Sequence, residues 1–318
     1  HVFETCCGIF KKYLADKVDL KFTLQTNGML IDNEWIDIFN KHRVCLGISI
    51  DGPKEYHDQD RVDHLGRGTY DRVAEKIHYL NNSHYFKNET TGAGLLCVIN
   101  PLHSARKIYR HFVDDLSSCF MDFLLPYNTH MHEVLFSAEP YGDYLCELFR
   151  EWVNDDNPKI QIRRFSSLLG LFYGAVPEVY GVGYVPEDEL PLISISSMGD
   201  LSPSDEFRAT DTSVNYSGSS VFNSSLKDYL EYPIFHQIQQ ATVSLPSTCK
   251  KCCWQKPCAG GTVVNRYHKE NLFDNPSIYC HGLQNFYAEV VRYLLEHGYN
   301  YDKLTQYLGF ERMAEWIQ

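Results

Sequence analysis

Four cysteines crowd into Cys249-Lys-Lys-Cys252-Cys253-Trp-Gln-Lys-Pro-Cys258-Ala-Gly-Gly, and a fifth follows at Cys280. Cys249, Cys252, Cys258 and Cys280 make C-x2-C-x5-C-x21-C, in which short turns let three thiolates converge while a distant fourth closes the site. Gly260-Gly261 and Asn275-Pro276 supply the turns that bring the last thiol back. Such a set holds either an iron-sulfur cluster or a closed structural zinc. Disulfides are the third reading, better suited to a secreted chain than to one without a secretory leader. The segment indicates a metal without naming it.

The rest of the 318 residues bounds what surrounds that centre. Apolar residues make up 44% and aromatic residues 14%, enough for a large globular domain and a smaller one. A net charge of -12 speaks against a general nucleic-acid or membrane-surface binder, since nothing but local patches would offset phosphate repulsion. No apolar run is long enough to span a membrane. The opening His1-Val-Phe-Glu-Thr-Cys-Cys has neither initiator methionine nor signal peptide, so the expectation is a chain cut from a longer cytoplasmic protein. Cys6, Cys7, Cys45, Cys97, Cys119 and Cys146 stand in apolar surroundings and are expected as small buried hydrophobes. His130-Met-His132 reads as a polar surface strand rather than a metal site.

The elements that must position these groups alternate. Apolar spacing predicts a helix over 2–14, then the β-rich run Leu20 to Gln25 halted at Asn27-Gly28. A helix from Asp32 precedes the buried strand Val44 to Ile50, which stops at Asp51-Gly52-Pro53. Gly68 to Leu80 reads as a helix, Ala93 to Asn100 as a strand, Ala105 to Leu116 as a helix, and Phe120 to Pro126 as a strand. Four rounds of this rhythm predict a parallel sheet with helices outside and chemistry at the strands' C-terminal edge. Beyond Pro126 the rhythm stops. Helices are expected over 144–153, 165–173, 226–240, 283–295 and 302–317, a hairpin over 192–203 turning at Met198-Gly199-Asp200, and a surface loop over 210–225.

Three of these segments together resemble the radical S-adenosylmethionine enzymes with a SPASM C-terminal domain. They are Leu24-Gln25-Thr26-Asn27-Gly28, Gly47-Ile-Ser49-Ile-Asp51-Gly52-Pro53 with Arg61, and the cysteine cluster. Within that superfamily the chain is similar to anaerobic sulfatase-maturating enzymes and, more closely in feel, to peptide maturases that build cyclophane or related cross-links. The latter is suggested by Leu124-Leu-Pro126-Tyr-Asn-Thr-His, Arg266-Tyr267 and Phe273 to Cys280. The resemblance implies an α/β fold: a partial (β/α)6 barrel lacking its first two strands, over 1–135, a helical connection over 136–190, a SPASM domain over 191–300 and a C-terminal helix over 301–318. It also implies S-adenosylmethionine cleaved at a [4Fe-4S] cluster to a 5'-deoxyadenosyl radical. The family's C-x3-C-x2-C and Gly-Gly-Glu-Pro motifs, which bind that cluster and the methionine amino group, do not occur in this sequence. By the same resemblance S-adenosylmethionine and this cluster are expected to bind largely through a preceding segment, and the chain as it stands is expected to be catalytically incomplete.

By the same resemblance Ser49 and Arg61 are expected to contact S-adenosylmethionine, with Gln25, Asn27 and Asp51 as further cofactor-binding candidates. Cys249, Cys252, Cys258 and Cys280 match the ligands of one auxiliary [4Fe-4S] cluster. Thr262 and Ser204 stand where sulfatase-maturating enzymes place ligands of a second, so one auxiliary cluster is expected. Asp205 occupies the position of their catalytic base; the alternative is an Asp that caps a turn or pairs with Arg208. The function expected first is cross-linking of a precursor peptide, with a flavodoxin or ferredoxin as electron donor. The alternatives are formylglycine formation on a sulfatase, and a non-catalytic peptide-binding remnant with a structural zinc.

Overall fold

The computed structural model describes residues 2–85, 93–133, 136–177, 179, 181–184, 192–215 and 218–309. It divides into two compact units, 1–124 with 147–163, and 125–146 with 164–318. The boundaries expected at 135 and 190 fall beside or on residues outside the described ones.

The first unit is built on a parallel sheet of five strands in sequence order: β1 (Thr23–Thr26), β2 (Cys45–Ser49), β3 (Gly94–Val98), β4 (Phe120–Leu124) and β5 (Gln161–Ile162). Helices Asn33–His42, Tyr70–Asn82 and Ala105–Arg110 connect them, the last continued by a π-helical turn at His111–Asp115. Sequence order with parallel pairing is the winding that the strand-helix alternation predicts. The Asn33–His42 helix starts where Asp32 accepts a hydrogen bond from the Trp35 N–H at 3.0 Å.

Side-chain alternation divides the sheet into two faces. Leu46, Ile48, Leu95, Cys97, Met121 and Phe123 are buried and share one face through their registers. Gln25, Gly47, Ser49, Leu96 and Asp122 share the other. Parallel pairing aligns the strand ends, so Asn27, Ser49 and Asp51 all lie at the C-terminal edge. The alternation does not end at Pro126: β5 adds a fifth strand, tied to β4 where Gln161 N–H donates to Cys119 C=O at 2.8 Å. Two residues carry no period, which is why the sequence shows no strand there.

The second unit is mostly helical. Its longest helix among the described residues spans Cys280–Glu296; the Glu139–Asp155 helix belongs to it only as far as Cys146 and continues into the first unit. The expected hairpin forms from β6 (Ser194–Ile195) and β7 (Leu201–Ser202), paired antiparallel. The expected 226–240 helix is two, Leu226–Leu230 and Pro233–Val243, because Pro233 lacks the N–H that would continue the first and starts the second. Thr212–Asn215 forms one helical turn inside the expected loop. The last expected helix is present over Tyr301–Leu308, and residues 310–318 lie outside the described ones. Phe207, Val214, Ile238, Val263, Val264, Tyr267 and Phe273 form a buried core in this unit. No helix among the described residues is long and apolar enough to cross a membrane.

Candidate functional site

The four cysteines of the C-x2-C-x5-C-x21-C pattern line one narrow cavity together with Trp254, Ser277, Leu283 and Tyr287. A 3₁₀ helix, Ser247–Lys251, carries Cys249, and Cys252 N–H closes back on its C=O at 3.0 Å. The short helix Gln255–Cys258 carries the third thiol. Ala259, Gly260 and Gly261 then turn the chain through three successive left-handed conformations, at φ 49°, 81° and 76°. Cys280 is the first residue of Cys280–Glu296, and its N–H is held by Ser277 C=O at 2.9 Å. None of the eleven cysteines is joined in a disulfide, which removes the disulfide reading; Cys6, Cys45 and Cys119 are exposed, against the expectation of burial.

Among the described residues no three His, Cys, Asp or Glu side chains are gathered closely enough to hold one ion, although the four thiols share a cavity. Zinc needs sulfur at ~2.3 Å from one centre. Four thiols lining one cavity are a donor set that suits an iron-sulfur cluster. Burial pushes the Cys258 thiol up to about 12 and Cys280 to about 11, and raises Cys249 as well. Cys258 is partly accessible by area, but the surface it shows faces the cavity it lines, so the protein environment governs its ionisation. Without a metal these thiols are protonated at neutral pH, and loading one releases protons. Cys253 is buried, and its thiol is raised by a hydrogen bond to Cys252 and by burial. The Tyr287 hydroxyl is buried beside Cys258 without a hydrogen bond of good geometry. His130 and His132 serve the nearby loop: His130 Nε2 meets Pro276 C=O at 2.8 Å, and His132 Nδ1 accepts from Thr129 N–H at 3.0 Å.

In the first unit the residues expected to meet a cofactor lie together at the sheet's C-terminal edge. Gln25 and Asn27 are exposed and Ser49 is half-buried. Asn27 Oδ1 accepts from Met29 N–H at 3.3 Å. Arg61 forms an ion pair with Asp51 through Nε, and through Nη2 at 3.3 Å. Asp51 also accepts from Val98 N–H at 3.0 Å. His57, fully buried, accepts from Asp51 N–H at Nδ1 (3.2 Å) and meets Thr69 Oγ1 at Nε2 (3.0 Å). Thr69 donates its hydroxyl hydrogen to Arg61 C=O at 2.9 Å, so His57 must donate from Nε2 and is neutral, and burial lowers its pKa accordingly.

No protein-family profile matches the chain. It is 28% identical over 292 residues to the Cysteine-type anaerobic sulfatase-maturating enzyme of Clostridium novyi (strain NT), covering 88% of this chain and 73% of that protein. The Serine-type anaerobic sulfatase-maturating enzyme of Bacteroides thetaiotaomicron is 24% identical over 314 residues, covering 92% of this chain and 72% of that one. The chain is a relative of the anaerobic sulfatase-maturating enzymes. Its fold is that of a solved relative: native anSMEcpe with bound AdoMet superposes with a TM-score of 0.75 at 24% identity, over 94% of this chain and 80% of that one. A structure of the same protein with bound AdoMet and a peptide gives 0.75 at 23%, over 93% and 80%.

Asp205 is exposed at the start of the 3₁₀ helix Asp205–Ala209 and shows no pairing with Arg208. Its neighbour Glu206 is the perturbed group: burial, and then the charge of Asp205, push its carboxyl up to about 7. It retains a little solvent contact but lies mostly within protein. Around Thr262 the space is filled, since a methyl group on Gly181 would come within 2.7 Å of Thr262 N and Oγ1. Nothing in the residue types of Asp205-Glu206 distinguishes which carboxylate the fold encloses.

Glu206 makes stability depend on pH with a definite sign. Its carboxyl ionises near 4.5 in the unfolded chain and near 7 in the folded one. The stability that its neutral form contributes is therefore complete below about 4.5 and lost as pH rises through about 7. Glu206→Gln should be no more stable than the parent, relative to its own baseline, at pH 4.5 and should gain up to about 3 kcal/mol on it by pH 8. Urea unfolding of both proteins across that range checks this, and parallel curves would show that Glu206 is not enclosed.

Proposed function

We propose that the protein is a radical S-adenosylmethionine maturase that oxidises one side chain of a peptide by two electrons to a formylglycine, its target being a sulfatase as the names of its relatives state for them. The observation that carries this reading is the cavity lined by Cys249, Cys252, Cys258 and Cys280, in a chain of which 94% superposes on an enzyme solved with bound AdoMet. When bound, S-adenosylmethionine and its cluster supply a hydrogen-abstracting 5'-deoxyadenosyl radical, and an auxiliary [4Fe-4S] cluster supplies a store for one electron. The chain's own residues bind and orient. Arg61 offers a guanidinium to the methionine carboxylate. Ser49, Gln25 and Asn27 present hydroxyl and amide groups at the same sheet edge for the nucleoside, with Asp51 and His57 fixing Arg61. The four thiolates hold the auxiliary cluster, and Asp205 or the enclosed Glu206 takes the proton released as the side chain is oxidised.

Cross-link formation in a precursor peptide is the second reading. Thr262 and Ser204 favour it, because they leave four cysteines for one cluster where sulfatase-maturating enzymes are expected to carry two. A flavodoxin or ferredoxin serves as electron donor in either case. The full-length protein, S-adenosylmethionine, reductant and peptides of the cysteine-type sulfatase sequence decide between them by mass. Exchange of one sulfur for oxygen with loss of two hydrogens supports formylglycine, whereas loss of two hydrogens with an internal link supports cross-linking. Deoxyadenosine that forms without change in any peptide would sink both.

A further inference from the structure

Arg266 is the most enclosed charge among the described residues of the second unit, with 2% of its surface exposed, and none of its hydrogen bonds reaches a carboxylate. Its guanidinium is instead spread over backbone: Nη1 donates to Ala241 C=O at 3.0 Å and Ser244 C=O at 3.3 Å, and Nη2 to Ala259 C=O at 3.3 Å and Gly261 C=O at 3.1 Å. Nε has no partner. A buried cation without a counter-charge costs several kcal/mol, and carbonyl dipoles offset only part of that. The ionisable groups whose charge reaches it are the thiols Cys258 and Cys249. Gly260, directly after Cys258-Ala259, is obligatory for this arrangement, since a Cβ there would stand 3.2 Å from Arg266 Cζ and 2.8 Å from Pro246 Cδ. The other buried guanidinium of this region, Arg164, acts on Tyr287, and Lys250 and Lys251 are exposed, where solvent screens them.

We infer that Arg266 is the built-in counter-cation of the group held by Cys249, Cys252, Cys258 and Cys280, and that its charge raises the reduction potential of that group. This rests on the reading of those thiols as ligands of a [4Fe-4S] cluster. Four thiolates on such a core leave a net negative charge that grows by one on reduction. A fixed positive charge in a low-dielectric wall stabilises the reduced form more than the oxidised one. Arg266 is thus a positioning residue: it touches the loop that carries the ligands and acts on the group through its field.

The test is anoxic reconstitution of the full-length protein with iron and sulfide, followed by spectroelectrochemical titration of the parent, Arg266→Gln and Arg266→Lys. The expected result is that Arg266→Gln is harder to reduce by at least tenfold in the equilibrium constant, about 59 mV for one electron, whereas Arg266→Lys stays within about threefold of the parent. A glutamine variant that keeps its cluster at the parent potential overturns the inference. If the glutamine variant loses its cluster, the lysine variant decides alone, and a tenfold fall despite its retained charge overturns it, because the hydrogen-bonded fork and not the charge would then be acting. A parent that takes up one zinc and no sulfide fails at the earlier step and refutes the cluster reading instead.

Discussion

A Cys280→Ala variant, reconstituted anoxically beside the parent protein, will hold no intact four-iron auxiliary cluster, while the parent holds about four irons and four sulfides at that site. The effect is expected to be all or nothing because the four thiols divide into two kinds. Cys249, Cys252 and Cys258 sit on short turns of one continuous stretch, whereas Cys280 is mounted on the first turn of a helix that runs to Glu296. Removing it opens one wall of the cavity and takes away the ligand brought from outside that stretch. Iron, acid-labile sulfide and zinc analysis of both proteins reads the outcome. One zinc without sulfide in the parent would establish a structural knot and move the non-catalytic reading to the front.

Replacing Gly282 by alanine will destabilise the second unit by about 3–5 kcal/mol and will cost it the metal as well. A Cβ on Gly282 would lie 2.1 Å from Ala138 C=O and 2.9 Å from Gly142 N, and one on Gly142 would lie 2.4 Å from Gly282 C=O. The obstacles are backbone atoms, so no rotamer relieves them, and the helix starting at Cys280 must move away from residues 138–142. Cys280 is two residues from the contact. Gly142→Ala meets the same obstacle, so the double substitution should cost well under the sum of the singles. Urea midpoints and iron content of the three variants check this; a Gly282→Ala protein with the parent's midpoint and full iron content would show that the helices are not in backbone contact.

The sequence carries much of this, for reasons that can be traced residue by residue. The apolar run Val44 to Ile50 announced β2, and Asn27-Gly28 and Asp51-Gly52-Pro53 marked the strand ends where Asn27 and Ser49 are found, whereas Arg61 reaches Asp51 from the end of the Lys54–Asp60 helix. The parallel sheet and the relationship to the sulfatase-maturating enzymes follow from those runs. The cysteine spacing brought four thiols to one cavity because turns of two and five residues are short enough to fix where each thiol lies. What sequence could not show is burial. Arg266 and Glu206 have residue types that usually meet solvent, and their enclosure depends on side chains distant in the chain. Gly142 and Gly282 likewise lie far apart, and neither carries a local sign that the other's backbone is its neighbour. Pro233 was a visible break that helical spacing on both sides obscured.

The network from Asp51 to Thr69 has a thermodynamic meaning for any carboxylate that comes to Arg61. His57 and Thr69 tie Asp51 and Arg61 into closed rings within this segment, so the conformational entropy of holding the guanidinium was surrendered during folding, not at the moment of binding. Asp51 occupies Nε and one Nη2 hydrogen of a group with about five N–H donors. A newcomer therefore finds a rigid fork with donors to spare, and meets a resident anion as its competitor. Selectivity at such a place depends on tolerating Asp51 nearby: a ligand that brings its own ammonium alongside its carboxylate, as an amino acid does, can satisfy both charges at once.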